Sequence, residues 1–105
     1  MNIEKLRQLI KERINLHPED PTISSYWEQE ADILSANVEE SIHFFRDECT
    51  DEEFSWLSEV FDDIIDRTKS VELISIWEMR LQTISDEEDR NSIETDINYA
   101  KLKLK

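Results

Sequence analysis

Residues Thr50–Asp66 read TDEEFSWLSEVFDDIID, with seven carboxylates and no basic residue. Projected at about 100° per residue, Phe54, Leu57, Val60, Phe61, Ile64 and Ile65 share one arc, and Glu52, Glu59, Asp62, Asp63 and Asp66 share the opposite one. The stretch is therefore read as an amphipathic helix, one face supplying a core and the other wholly acidic. Thr50-x-x-Glu53 opens it as a capping box, in which hydroxyl and carboxylate each satisfy a backbone N–H that the first turn leaves free.

The neighbouring segments read in the same way. The chain has no Gly, only two Pro, and no clean polar/apolar alternation of strand length, which predicts an all-α fold. A first helix is expected from about Ile3 to Leu16, with Ile3, Leu6, Leu9, Ile10 and Ile14 inward, ended by His17-Pro18-Glu19-Asp20-Pro21. Thr22 or Ser24 caps a second, running to about Ser35 with Ile23, Tyr26 or Trp27, Ala31 and Leu34 inward. Asn37 with Glu40 opens a third, with Val38, Ile42 and Phe45 inward and Phe44 at the edge of the apolar arc. After the acidic helix, Ser70 caps a fifth carrying Ile74, Trp77, Leu81 and Ile84. Asn91 with Glu94 opens a sixth carrying Ile93, Ile97 and Ala100, leaving SDEEDR as a loop. Short connections make neighbours antiparallel. The expectation is a single domain over residues 1–105 of five to six helices, as a bundle or a short stack of helical hairpins.

The 26 acidic residues outnumber the 12 basic ones, for a formal charge of −14, so direct contact with nucleic-acid phosphates or an anionic membrane surface would be repulsive. Residues 18–66 hold sixteen acids and one base, Arg46. A cationic protein partner suits that middle segment. The sole thiol, Cys49, allows no internal disulfide and suits a reducing cytoplasm. No apolar run has signal or membrane length.

Most acidic helix faces are solvated surface, yet here Glu59, Asp62, Asp63 and Asp66 are like-charged neighbours at helical spacing, offset only by Arg67. On one continuous helix the three aspartates also crowd its C-terminal end, where the dipole prefers cations. Repulsion kept in place is what a preformed docking surface for a basic partner requires. Trp56, at the border of the two faces, is the candidate anchor, and Glu52 extends the acidic arc. Trp27 and Trp77 read as core.

Catalytic and metal patterns are sparse. Glu40-x-x-His43 has the spacing of a di-iron ligand pair, but the second motif is missing and His43 projects among acids. Glu48-x-x-Asp51 and Glu59-x-x-Asp62 imitate the magnesium-binding pairs of all-helical nucleotide pyrophosphohydrolases, although the first pair straddles the Thr50 cap. Without Gly there is no phosphate-cradling loop. Cys49 reads as a buried or capping thiol. No cofactor, metal or catalytic residue is expected.

The stretch SSYWEQEADILSANVEESIHFFRDECTDEEFSWLSEVFDDIIDRTKSVELI (residues 24–74), with IETDINYA (93–100), resembles small acidic bacterial immunity proteins of the contact-dependent growth inhibition type. The likeness is strongest over DECTDEEFSWLSEVFDDIIDRT, residues 47–68, while MRLQTISDEEDRN departs from a family pattern richer in lysine and containing Pro. The resemblance implies a helical fold, a cytoplasmic location and a cognate toxin domain, commonly a basic nuclease, that the protein binds and blocks. No contact residue transfers from the family. From the sequence itself, the residues expected to meet that partner are Trp56, Glu59, Asp62, Asp63, Asp66 and Glu52. The alternatives are a magnesium-dependent nucleotide hydrolase using Glu48, Asp51, Glu59 and Asp62, and a DNA-mimicking regulatory binding protein.

Overall fold

Helix caps decide where this glycine-free chain turns. The structure, a computed structural model, describes residues 1–105 and contains helices and no strand. In chain order these are α1 (Ile3–Ile14), α2 (Ile23–Ser35), α3 (Val38–His43) continued by a π-helical turn at Phe44–Glu48, and α4 (Asp51–Leu57). A 3₁₀ turn at Ser58–Val60 then leads into α5 (Phe61–Thr68), followed by α6 (Val71–Leu81) and α7 (Glu87–Leu102). Since α4 and α5 are halves of one expected helix, six helical rods result. The Cα radius of gyration, 12.8 Å, matches the roughly 13 Å of a single compact unit of this length.

Thr50 and Glu53 form the full expected box, at 3.1 and 2.9 Å. Asn37 accepts from the Glu40 amide, but the Glu40 carboxylate binds the Met1 ammonium at 2.7 Å instead of closing a box. Ser70 caps α6 through the Leu73 amide. Thr22 occupies the cap of α2 without bonding it, its hydroxyl being held by Asp20 at 2.6 Å.

Two local defects reshape the middle of the chain. At the π turn an extra residue brings the adjacent Phe44 and Phe45 both fully inside, and Arg80 donates to the freed Phe45 carbonyl. In the 3₁₀ turn, Ser58 Oγ lies 2.7 Å from the Ser55 carbonyl, a local bond that competes with the helical ladder. The expected apolar arc of this segment is buried throughout, from Phe54 to Ile65.

Phe45 meets Phe44, Phe54, Phe61 and Trp77 edge-on with centroids 5.4 to 6.3 Å apart, and Phe61 stacks flat on Trp77 at 3.8 Å. Leu6, Leu34, Leu57, Ile64, Leu73 and Ile93 close around these rings, so every helix contributes to one core.

Four expectations are corrected. SDEEDR is not a loop, because Asp86 accepts from the Asp89 amide and starts α7 one turn and more before Asn91. Its acidic first turn suits the positive end of the helix dipole. Trp27 is 37% exposed, its indole N–H donating to Glu59 at the surface. Ile14, in the last turn of α1, is also exposed, and the helix stops there, short of Leu16.

Without glycine, the left-handed residue that ends α5 falls on Lys69, φ 53°. A β-carbon is unfavourable there. Lys69→Gly is expected to raise stability by up to about 1 kcal/mol in urea unfolding. Lys69→Ala, which keeps Cβ and loses the ammonium, should give no gain.

Candidate functional site

The 3₁₀ turn divides the acidic face between two clefts. Glu52 and Trp56, with Asp51 and Ser55 of α4, face Ile84, Ser85, Asp86 and Asp89 across a cleft of about 350 Å³. Glu59, Asp62, Asp63 and Asp66 line a second, of about 300 Å³, with Trp27, Val60 and Lys103. The six expected partner-binding residues are thus exposed or half-buried along one helical segment, but in two groups. Between the clefts, α4 and the 3₁₀ turn meet α7 along a seam, Ser55 Oγ 3.3 Å from Asp89 and Ser58 Oγ 2.8 Å from Asp96.

The break also changes the dipole argument. Asp62 and Asp63 lie in the first turn of α5, where negative charge is favoured, so the expected C-terminal crowding holds only for Asp66. That carboxylate is 3.5 Å from Lys69. Asp63 shares Arg67 with Asp32 of α2. Part of the repulsion read from sequence is therefore relieved within the chain, whereas Glu52 and Asp62 have no ion-pair partner of their own.

Glu59 is the most altered of the six. Arg13 on α1 places Nη2 3.3 Å from both Glu59 oxygens, and the Trp27 indole N–H donates to Oε2 at 2.9 Å. The Arg13 guanidinium carbon lies 5.9 Å from the Trp27 ring and 5.3 Å from that of Trp56, so the cation is buried between two indoles. Glu30 of α2 is also buried. Burial first, then the nearby Glu59, push its carboxyl up to about 7 against the pull of Arg13.

Asp96, in the middle of α7, completes the surface. Its oxygen and the Ser55 carbonyl compete for the single Ser58 hydroxyl proton. Its pKa is raised by burial and then by Glu59 and Asp62, with Ser58 opposing. No lysine or arginine pairs with it.

Sequence reasoning missed Arg13, Glu30 and Asp96. The signal for two of them was present, since Leu6, Leu9, Ile10 and Arg13 share one stripe of α1, and Trp27, Glu30, Ala31 and Leu34 one stripe of α2. Nothing in the sequence pairs Asp96 with residue 58.

The four carboxylates of the hydrolase alternative do not converge, since only Glu59 and Asp62 share a cleft. Glu48 lines a separate groove with Met1, Ile3, Glu39, Glu40 and His43, Asp51 pairs with Arg80 at 2.9 Å, and Glu59 holds Arg13. No three His, Cys, Asp or Glu side chains are grouped to hold a metal ion. His43 is exposed, 3.0 Å from Asp47. No helix is long and apolar enough to cross a membrane. Comparison with family models, curated proteins and solved structures returned no match to this chain. The fold and the site define an all-helical protein with an acidic surface cut by two clefts.

Glu30 generates a pH dependence whose sign is fixed. Below its ordinary value of 4.5 both folded and unfolded chains are protonated, and stability is unaffected. Between 4.5 and about 7 the unfolded chain ionises first, so stability falls as pH rises, and the loss is complete above 7. That gap corresponds to at most about 3 kcal/mol. Glu30→Gln is expected to stabilise the protein by about 1–3 kcal/mol at pH 8 and by far less at pH 4, measured by urea unfolding at both.

Proposed function

We propose that the chain is an immunity-type inhibitor that binds a basic toxin domain through the seam between α4–α5 and α7. The observation that carries this reading is Asp96: a half-buried carboxylate in mid-helix, faced by Glu59 and Asp62 and by no cation of its own chain. Such a charge works against the fold. A cation arriving from a partner reverses its sign of effect, because burial then strengthens attraction as much as it had strengthened repulsion. Glu52, Asp62 and Asp89 extend the negative field along the seam, and the half-buried Trp56 offers an aromatic anchor beside it. The resemblance over residues 24–100 to immunity proteins of contact-dependent growth inhibition agrees with this chemistry.

On this reading the carboxylates occupy the place that substrate phosphates take in a nuclease cleft, and the toxin's substrate is excluded. Charge steering speeds association and salt weakens it. A DNA-mimicking regulator would use the same surface on a different basic protein.

The test is a toxin domain encoded beside this gene, titrated calorimetrically at low and high salt. Asp96→Asn should raise the stability of the free protein while weakening that complex at least tenfold, and Glu52→Lys with Asp62→Lys should weaken it further. Affinity indifferent to salt and to all three substitutions sinks the proposal.

A further inference from the structure

The buried charges beneath the acidic face are incompletely paired. Arg13 is 8% exposed and Glu30 2%, on adjacent helices, and each holds a buried polar atom with no hydrogen-bond partner, Nε of the arginine and Oε1 of the glutamate. The Glu30 side chain makes no hydrogen bond at all, whereas Arg13 reaches Glu59 at 3.3 Å to each oxygen, longer than the roughly 2.8 Å of a well-made guanidinium–carboxylate bond. Arg13 therefore has an unused donor and a loosely held partner, and Glu30 an unused acceptor.

We infer that Glu30 and Glu59 are alternative anions for Arg13, and that exchange between them decides whether Glu59 and the Trp27 indole are held inward or released to the outer cleft. The charged groups acting on Glu30 are Glu59, from the 3₁₀ turn, and Arg13, from α1, while α3, α5 and α2 itself add none. A neutral Glu30 tolerates its buried place, and Arg13 stays with Glu59. An ionised Glu30 cannot remain without a donor, and the Arg13 Nε–H is the one left over. Glu59 can give up the arginine because its side chain, 35% exposed, is already partly hydrated. Its release takes away the acceptor of the Trp27 N–H and adds a free carboxylate to Asp62, Asp63 and Asp66 in the second cleft. Ionisation of Glu30 falls near neutral pH, at about 7. The inward arrangement belongs below that pH and the released one above it.

The exchange needs no partner. Its effect on binding rests on the function proposed above, and the two are separable by experiment. In the full chain, the Trp27 indole N–H resonance is followed by NMR from pH 5.5 to 8.5, with the buried Trp77 indole as internal control. The wild type should show a Trp27 shift with one midpoint near 7, absent in Glu30→Gln. A Trp27 resonance that is static, or that moves equally in Glu30→Gln, overturns the inference. Glu59→Gln, a part-exposed and isosteric change, provides a second arm. With its rival anion gone, Glu30 should titrate at clearly lower pH, read from its side-chain carboxyl carbon, and an unchanged midpoint overturns the exchange. Affinity for the neighbouring toxin should rise several-fold between pH 6 and 8 and lose that rise in Glu30→Gln. Exchange seen in the free chain without any such rise overturns the assignment of Glu59 to the partner's site.

Discussion

The packing of Phe45 against four other aromatic rings governs the geometry of everything outside it. Phe44 and Phe45 are neighbours in sequence and would point apart by about 100° on a regular helix, yet both are fully buried because the π turn adds a residue beneath them. That turn orients α4, whose Phe54 meets Phe45, and the 3₁₀ turn then re-aims the chain so that Phe61 lies flat on Trp77 of α6. The acidic face is bent because the apolar face beneath it had to follow these rings. Two clefts and a seam exist where a straight helix would have offered one stripe.

Charge is handled differently on the two sides of that bend. Arg7, Arg67 and Arg80 bind carboxylates, and Arg7 also donates to the Glu48 carbonyl and Arg80 to the Phe45 carbonyl, so these last two hold the π turn in place. Arg13 is carried inside beneath the acidic face. Its burial between Trp27 and Trp56 makes these two indoles walls of a cation site already filled from within, and it ties the exposed acids to a buried one. The seam with α7 receives no such cation, which leaves the half-buried Asp96 with the Ser58 hydroxyl as its side-chain partner.

The sequence carried the fold further than the site. Capping residues and 3.6-residue spacing located the helices and nearly all of the core, because both signals are local and repeated. The start of α7 was misread because Asn91 and Glu94 form an attractive box, while the working cap, Asp86, is one of four successive acids that read as loop. The interruption at Ser58–Val60 was not legible, since those residues continue the helical pattern and Phe61 packs against rings that come from the π turn and α6. Glu59, Asp62, Asp63 and Asp66 read from the sequence as one helical face, but their intramolecular cations are Arg13, Arg67 and Lys69, of which only Arg67 stands at i+4 from a member of this group, and its other partner, Asp32, lies on a different helix. A carboxylate's neighbours across a fold are long-range facts.

Cys49 sits at the corner between the π turn and α4, buried, its thiol pushed up to about 12 by loss of hydration. At neutral pH almost none of it is thiolate, and thiolate is the form that alkylating and oxidising reagents attack. Chemical labelling of this sulfur consequently requires the corner to open. The lone thiol is thus an intrinsic reporter of local breathing at the hinge that orients the acidic face, silent while the aromatic cluster is closed and reactive only in the moments when it parts.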